Sequence, residues 1–275
     1  MTHREMIVIG GGPAGAATAI RAARLGIAVT VFEKGDHGRD KVCGDGLTPR
    51  AVGALNDLDI ELQEAHQIQG LRMIAGTKTR ELDWPETSRF PSHGAVWPRR
   101  QLDAALMDAA ANAGAELIYN TEVLPELDAE GRCIGVSTPT GKWTADLVVL
   151  AAGAQGKAAR ILGAERDPNE PFGLAIRTYA ETPRHADAHI EACLTLQDEN
   201  GVAVPGGRLR RAQSFFGIAR TSSRSILASM KPSESMETST PSVQRMASFG
   251  SAFWSLSNRP VVIRRGNSSS ESSGA

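Results

Sequence analysis

A short apolar segment that runs directly into a glycine-rich turn constrains the fold of this chain more than any other feature. Residues 6–9 read Met-Ile-Val-Ile, and residues 10–15 then read Gly-Gly-Gly-Pro-Ala-Gly, which is the pattern G-x-G-x-x-G. Residues 14–25 are rich in alanine and are followed by Gly26, so they predict a helix after the strand. This order of strand, glycine turn and helix is typical of a Rossmann-like α/β fold that binds a dinucleotide.

The residues of the turn have distinct predicted roles. Gly10 allows the tight turn, Gly12 lets the backbone approach a pyrophosphate, and Gly15 lets the helix pack closely against the strand. Pro13 and Ala14 belong to the same candidate site, because a helix start offers free N–H groups and a positive dipole end to phosphate. The alternative is an ordinary strand, turn and helix in which the glycines serve packing alone.

A second apolar strand ends in an acidic residue at the position that a dinucleotide fold requires. Residues 28–32 read Ala-Val-Thr-Val-Phe, and Glu33 follows them, 18 residues beyond Gly15. An acid at this spacing binds the ribose hydroxyls of the nucleotide. The position of Glu33 therefore favours dinucleotide binding over the packing alternative.

Composition excludes several other classes of protein. The formal net charge is −1 over 275 residues, which gives no general attraction to nucleic acid. The three cysteines are scattered and odd in number, which argues against a disulfide framework and predicts a cytoplasmic protein. The apolar runs are shorter than the ~18 residues of a membrane-spanning helix, and the histidines lack the spacing of metal ligands.

Residues 39–52 carry the most specific resemblance. They read R-D-K-V-C-G-D-G-L-T-P-R-A-V, and this run resembles the signature of the geranylgeranyl reductase family, in the flavoprotein group that includes p-hydroxybenzoate hydroxylase. The resemblance implies FAD, with its adenine half on the glycine turn and Arg39 facing the flavin or its phosphates. It also implies that Cys43, Gly44 and Gly46 lie beside the isoalloxazine ring. Taken alone, Cys43 could equally be a small buried hydrophobic residue.

Two further positions resemble cofactor-binding residues of the same group. Arg99, Leu102, Asp103 and Leu106 fit the helix pattern R-x-x-[FL]-D-x-x-L, in which the arginine contacts FAD. The alternative for Arg99 is a basic residue that merely begins a helix, although a cation there opposes the helix dipole. The resemblance also implies that the backbone near Val123 meets the adenine.

The resemblance implies a three-layer Rossmann-like FAD/NAD(P)-binding domain and part of an antiparallel substrate-domain sheet. We expect the FAD-binding domain at 1–165, with an insertion at about 59–98, and the incomplete start of a substrate domain at 166–206. Strands are predicted at 69–74, 79–84, 171–179 and 188–194. A hairpin is predicted at 132–144, followed by a buried parallel strand at 146–151.

The pattern of the family stops at about residue 206. The motif P-G-Y-G-x-x-F-P and the later G-D box do not follow, and 18 of the 62 residues from Ser214 onward are serine. One interpretation is a disordered tail at 207–275. Another is a truncating frameshift, because codons for residues 208–210, Arg-Leu-Arg, can read Gly-Tyr-Gly from their second base.

The function implied by the resemblance is FAD-dependent reduction of C=C bonds in a geranylgeranyl or polyprenyl chain of a lipid or quinone. The electron donor would be NAD(P)H or a reduced carrier, and an apolar substrate implies peripheral contact with the inner face of the membrane. The sequence identifies no catalytic residue. The alternatives are an FAD-dependent monooxygenase or halogenase of the same fold, or a non-catalytic FAD-binding remnant.

Overall fold

The computed structural model describes residues 2–75, 77–153, 156–164, 177, 179, 184–193, 215–217 and 261–264. They form two compact units, the first from residues 1–39, 102–170 and 253–275, the second from 40–101 and 171–252. The strands are β1 (Thr2–Ile9), β2 (Val29–Phe32), β3 (Gly46–Leu47), β4 (His66–Ile68), β5 (Gly70–Ala75), β6 (Lys78–Asp83), β7 (Gly94–Val96), β8 (Glu116–Ile118), β9 (Leu124–Leu127), β10 (Cys133–Thr138), β11 (Gly141–Leu150), β12 (His189–Cys193), β13 (Phe215–Gly217) and β14 (Val261–Arg264). The helices are α1 (Pro13–Arg24), α2 (Pro49–Asn56), α3 (Arg99–Asn112) and α4 (Lys157–Ile161).

The first unit is built on a sheet in the order β8-β2-β1-β11-β10-β9, and β14 also pairs with β11. Strand β1 lies between two parallel neighbours, β2 and β11. Its residues Met6 to Ile9 are all buried, as expected for a central parallel strand covered on both faces. The predicted strand, turn and helix are therefore confirmed, and so is the Rossmann-like α/β fold.

Helix α1 begins and ends within one residue of its predicted bounds. Gly12 is the N-cap and Pro13 occupies the first turn, where its missing N–H costs nothing. Ala16, Ala19 and Ile20 are fully buried. Gly26 then adopts φ +78°, a left-handed conformation that favours glycine and ends the helix.

The second arm of the predicted hairpin and the predicted parallel strand are one continuous strand, β11. Its first residues pair with β10 in an antiparallel hairpin, from Thr138 opposite Gly141 to Gly135 opposite Thr144. The same strand pairs in parallel with β1 along most of its length. Its first half is largely exposed and its second half buried, which explains why its hydrophobic pattern predicts two elements.

The second unit contains helix α2 and two small sheets, β3-β7-β4 and β13-β12-β5-β6. Strands β5, β6 and β12 confirm the predictions at 69–74, 79–84 and 188–194. The larger sheet is mixed and not purely antiparallel as expected, because β12 runs parallel to β5 while β6 and β13 are antiparallel to their neighbours. Of the predicted strand at 171–179, only Arg177 and Tyr179 are among the described residues.

A cluster of charged side chains links β5 to β12 and to the residues just before β12. Arg72 on β5 donates hydrogen bonds to Asp187 at 2.5 Å and to Glu191 at 3.2 Å, and it also pairs with Glu81. Arg184 pairs with the same Asp187 and Glu191. The hydrogen bond from Arg72 holds the pKa of Asp187 far below its usual value, although burial works against it.

The domain boundaries stay predictions. The compact units place the expected insertion, residues 59–98, in the second unit together with residues 171–252. Within the predicted tail, 207–275, the structure describes only strands β13 and β14. The rest of that segment lies outside the described residues.

Candidate functional site

Gly10 and Gly15 are glycines because the backbone leaves no room for a side chain. Gly10 adopts φ +103°, and a Cβ there would lie 2.6 Å from the carbonyl oxygen of Ala151. A Cβ on Gly15 would lie 1.8 Å from the carbonyl oxygen of Gly10. The two glycines thus let α1 start directly against the end of β1, in the roles predicted for them.

Gly12 differs, because a side chain there would meet no close backbone atom. The nearest heavy atom to a Cβ on Gly12 is a terminal guanidinium nitrogen of Arg39, at 3.8 Å. The backbone there is extended, with φ −74°, so glycine is not required for its conformation. Space at Gly12, next to the half-buried Pro13 and Ala14 at the helix start, is what a pyrophosphate would need.

Glu33 is the centre of the hydrogen bonds around the turn. The residue is 3% exposed, and its carboxylate accepts hydrogen bonds from the N–H of Gly11 at 2.8 Å and of Gly35 at 2.9 Å. Arg39 donates to it through Nε at 2.7 Å and a terminal nitrogen at 3.3 Å. Two backbone donors and one cation therefore stabilise this buried negative charge.

The sequence predicts a cofactor-binding role for both Glu33 and Arg39 but not the contact between them. It also predicts no role for Gly11, whose Cβ would meet the side chain of Met107 at 2.8 Å. The motif treats Gly11 as a variable position, so spacing alone offers no signal for it. Arg39 lies between the acid and the open side of Gly12, where a cation would contact a pyrophosphate.

The segment after β8 closes around Glu33 through its backbone. The N–H of Thr121 donates to the carbonyl oxygen of Glu33 at 3.0 Å, and that of Asn120 to Gly35 at 3.2 Å. Val123, predicted near the adenine, is 4% exposed, and its side chain packs in the core with Ile7 and Phe32. Only its backbone is left to meet a nucleotide, and its contact with adenine stays a prediction.

The loop that carries Cys43, Gly44 and Gly46 lies in the second unit. Cys43 is a half-buried free thiol, and a Cβ on Gly46 would lie 3.1 Å from Cδ1 of Ile190. Asp45 between them is 3% exposed and has φ +57°, which is unusual for a residue other than glycine. The contact of this loop with a flavin stays a prediction.

Asp45 connects the loop to the start of α3. Its Oδ1 accepts from the N–H of Arg99 at 3.2 Å, and its carbonyl oxygen accepts from the N–H of Trp97 at 2.9 Å. Its Oδ2 accepts from the hydroxyl of Tyr179 at 2.7 Å. Arg99 itself is 8% exposed, and its contact with FAD stays a prediction.

Sequence reasoning did not single out Asp45, Arg177 or Tyr179. Asp45 lies inside the run that carries the family resemblance, so the signal for it was present. Arg177 and Tyr179 are 134 or more residues away from the loop residues they contact, and no local pattern indicates such a partner.

Nothing in the described residues adds a metal or a membrane span. No group of three His, Cys, Asp or Glu side chains there is placed to hold a metal ion. Within the same residues, no helix is both long and apolar enough to cross a bilayer.

Known proteins resemble the chain in sequence and in fold. Menaquinone reductase of Mycolicibacterium smegmatis is 37% identical over 210 residues, which cover 74% of this chain and 51% of that protein. Digeranylgeranylglycerophospholipid reductase 3 of Methanosphaera stadtmanae is 26% identical over 161 residues, 57% of this chain and 41% of that protein. These relatives confirm the resemblance to geranylgeranyl reductases. The chain spans about half the length of the menaquinone reductase it matches.

A solved structure confirms the fold. The geranylgeranyl bacteriochlorophyll reductase-like protein of Thermoplasma acidophilum superposes with a TM-score of 0.56 at 21% identity, covering 74% of this chain and 55% of that one. The family model described as FAD binding domain matches residues 3–242, which confirms the predicted cofactor. On this match and on the geometry of the glycine turn, the chain belongs to the FAD binding domain family.

Proposed function

We propose that this chain belongs to an FAD-dependent reductase that saturates C=C bonds in the polyprenyl chain of a lipid or quinone. The observation that carries the proposal is the sequence similarity to a menaquinone reductase and to an archaeal digeranylgeranylglycerophospholipid reductase. The run K-V-C-G-D-G-L at 41–47 supports the same reaction. Fold similarity adds no support, because one fold serves many reactions.

The first unit offers the groups that would hold the adenosine and phosphate parts of FAD. Glu33 would accept hydrogen bonds from the ribose hydroxyls, once Arg39, which now donates to both of its oxygens, turns from it towards the pyrophosphate. The open side of Gly12 and the start of α1, at Pro13 and Ala14, would take the pyrophosphate. Arg39 would neutralise part of the pyrophosphate charge, because its guanidinium lies 3.8 Å from the position that a Cβ on Gly12 would occupy.

When bound, FAD supplies the hydride-transfer chemistry, and the protein orients it. The residues of this chain would bind and orient the cofactor. Reduction of an alkene also requires a proton at the second carbon, and Cys43 is a candidate donor by the family resemblance alone. NAD(P)H or a reduced carrier would supply the electrons.

We expect the substrate to bring the protein to a membrane. A polyprenyl chain is apolar and resides in the bilayer, so peripheral contact at the inner face of the cytoplasmic membrane fits the proposed reaction. The protein needs no membrane-spanning segment for such peripheral contact.

Product mass distinguishes the proposed reaction from its alternatives. The chain would be loaded with FAD, reduced with dithionite without oxygen, and incubated with a digeranylgeranyl lipid, which has no quinone ring for dithionite to reduce. A reductase adds ~2 Da per saturated bond, because two hydrogens are gained. An oxygenated or halogenated product formed only in air would contradict the proposal and indicate a monooxygenase or halogenase.

A non-catalytic remnant would bind FAD and give no product. The frameshift hypothesis explains such a result, because the motifs expected after residue 206 would be encoded in another frame. Sequencing the coding DNA tests this hypothesis directly. Gly-Tyr-Gly and a G-D box in a shifted frame would support it, and their absence from every frame would exclude it.

A further inference from the structure

Two residues of the second unit donate hydrogen bonds to opposite ends of the loop that contains Cys43. Arg177 donates through one terminal nitrogen to both carboxylate oxygens of Asp40, at 2.6 and 2.5 Å. Tyr179 donates its hydroxyl to Oδ2 of Asp45 at 2.7 Å. Arg177 and Tyr179 are two positions apart in sequence, and their partners Asp40 and Asp45 flank residues 41–44.

The two contacts also support each other. The guanidinium carbon of Arg177 lies 4.2 Å from the centre of the Tyr179 ring, a cation–π contact. Burial, and then the hydrogen bond to Asp45, raise the pKa of Tyr179 above its usual value. The hydroxyl therefore keeps its proton and remains a donor across the ordinary pH range.

The loop needs such support because Asp45 adopts a left-handed backbone conformation, with φ +57°. Residues other than glycine adopt this conformation only rarely. Such a conformation persists only where the surroundings fix the residue, and it occurs most often at functional sites. Within the described part of the chain, the carboxylate of Asp45 accepts hydrogen bonds from the hydroxyl of Tyr179 and from the N–H of Arg99.

We infer that Arg177 and Tyr179 form a two-point clamp that positions the Asp40–Asp45 loop and thereby fixes Cys43 and Gly44. They are positioning residues, because they act through the loop. The role of the clamp beside a flavin rests on the proposed function. The clamp itself does not depend on that function, since every contact lies within the second unit.

The alkylation rate of Cys43 tests the clamp. Cys43 is half-buried, so release of the loop should expose its thiol. Cys133, which is 2% exposed, reacts only when the protein opens more widely and serves as an internal reference. Iodoacetamide labelling at about pH 8, read at each cysteine by peptide mass spectrometry, separates local release from general unfolding.

Tyr179→Phe and Arg177→Met each remove one contact. We expect each substitution to raise the Cys43 rate about threefold or more while the Cys133 rate stays unchanged. Tyr119→Phe and Arg132→Met are matched controls in the first unit, and both should leave the Cys43 rate unchanged. Unchanged Cys43 rates in both test variants, or equal increases at Cys43 and Cys133, would overturn the clamp.

The same assay in the presence of FAD tests the flavin placement separately. If FAD slows labelling of Cys43 in the native chain, the loop lies beside the cofactor. If FAD binds and does not slow labelling, the placement from the family resemblance is wrong. That result would not bear on the clamp, which is tested by the cysteine alkylation rates of the variants without FAD.

Discussion

The guanidinium of Arg39 and the carboxylate of Glu33 form an ion pair beside the glycine turn, with 2.7 Å between Nε and Oε1. Glu33 also accepts the N–H of Gly11, so the acid that should hold the ribose holds the turn as well. One side chain thus connects the strand end, the turn and a cation. Substituting it should therefore affect both FAD binding and stability.

The first prediction concerns the charge of Glu33. Glu33→Gln keeps the size of the side chain but loses the charge that strengthens its hydrogen bonds, so FAD should bind about tenfold more weakly. Titration of FAD fluorescence measures the dissociation constant. Glu116→Gln is the control, because Glu116 pairs with Arg4 in the same unit without contacting the turn. Equal affinity of the Glu33 variant and the native chain would contradict the assigned role.

The second prediction contrasts two glycines of the same turn. Gly15→Ala places a Cβ 1.8 Å from the carbonyl oxygen of Gly10, so it should destabilise the fold by about 3 kcal/mol or more. Gly12→Ala meets nothing closer than Arg39 at 3.8 Å and should unfold like the native chain. It should nevertheless weaken FAD binding, because its methyl group occupies the space of the pyrophosphate.

Urea unfolding and FAD titration of both glycine variants test this contrast. A Gly12 variant that is as unstable as the Gly15 variant would show that the turn is packed at Gly12 too. A Gly12 variant that binds FAD like the native chain would contradict the predicted phosphate site.

The third prediction concerns acid stability in the second unit. The hydrogen bond from Arg72 holds the pKa of Asp187 below its ordinary 3.8. Its ionised form therefore stabilises the fold above the unfolded pKa, and this contribution is lost as pH falls through the folded pKa. Asp187→Asn should lower the free energy of unfolding at neutral pH by about 1–3 kcal/mol and flatten its fall below pH 4.

The free energy of unfolding by urea, measured from neutral pH down to about pH 2.5, checks this prediction. Arg184 and Glu191 share the cluster with Asp187, so their charges must be kept intact. The exposed Glu64→Gln variant is the control and should follow the native curve. An Asp187 variant with the native pH dependence would show that the cluster does not stabilise the fold.

The sequence predicted the elements whose pattern is local. Strand β1, helix α1 and Glu33 follow from hydrophobic runs and fixed spacings, because backbone sterics and nucleotide geometry set those distances. The sequence predicts two elements where the structure has the single strand β11, because Lys142 is exposed while Val148 is buried in the same strand. A change of burial along one strand resembles a boundary between two strands.

Contacts between distant segments could not be predicted in the same way. The contacts of Tyr179 with Asp45 and of Arg177 with Asp40 join residues that are 134 and 137 apart, and sequence spacing does not encode them. The parallel pairing of β12 with β5 joins residues that are 119 apart, and a single sequence gives no signal for it. The family resemblance indicates a cofactor and a loop, and the structure shows which distant side chains contact that loop.

The most direct test of the central claim is the visible absorbance spectrum of the purified chain after incubation with FAD and desalting. The account predicts a two-banded flavin spectrum that stays with the protein and is weaker in the Glu33→Gln variant. A native chain that emerges folded but colourless, with no change in FAD fluorescence on titration, would contradict it.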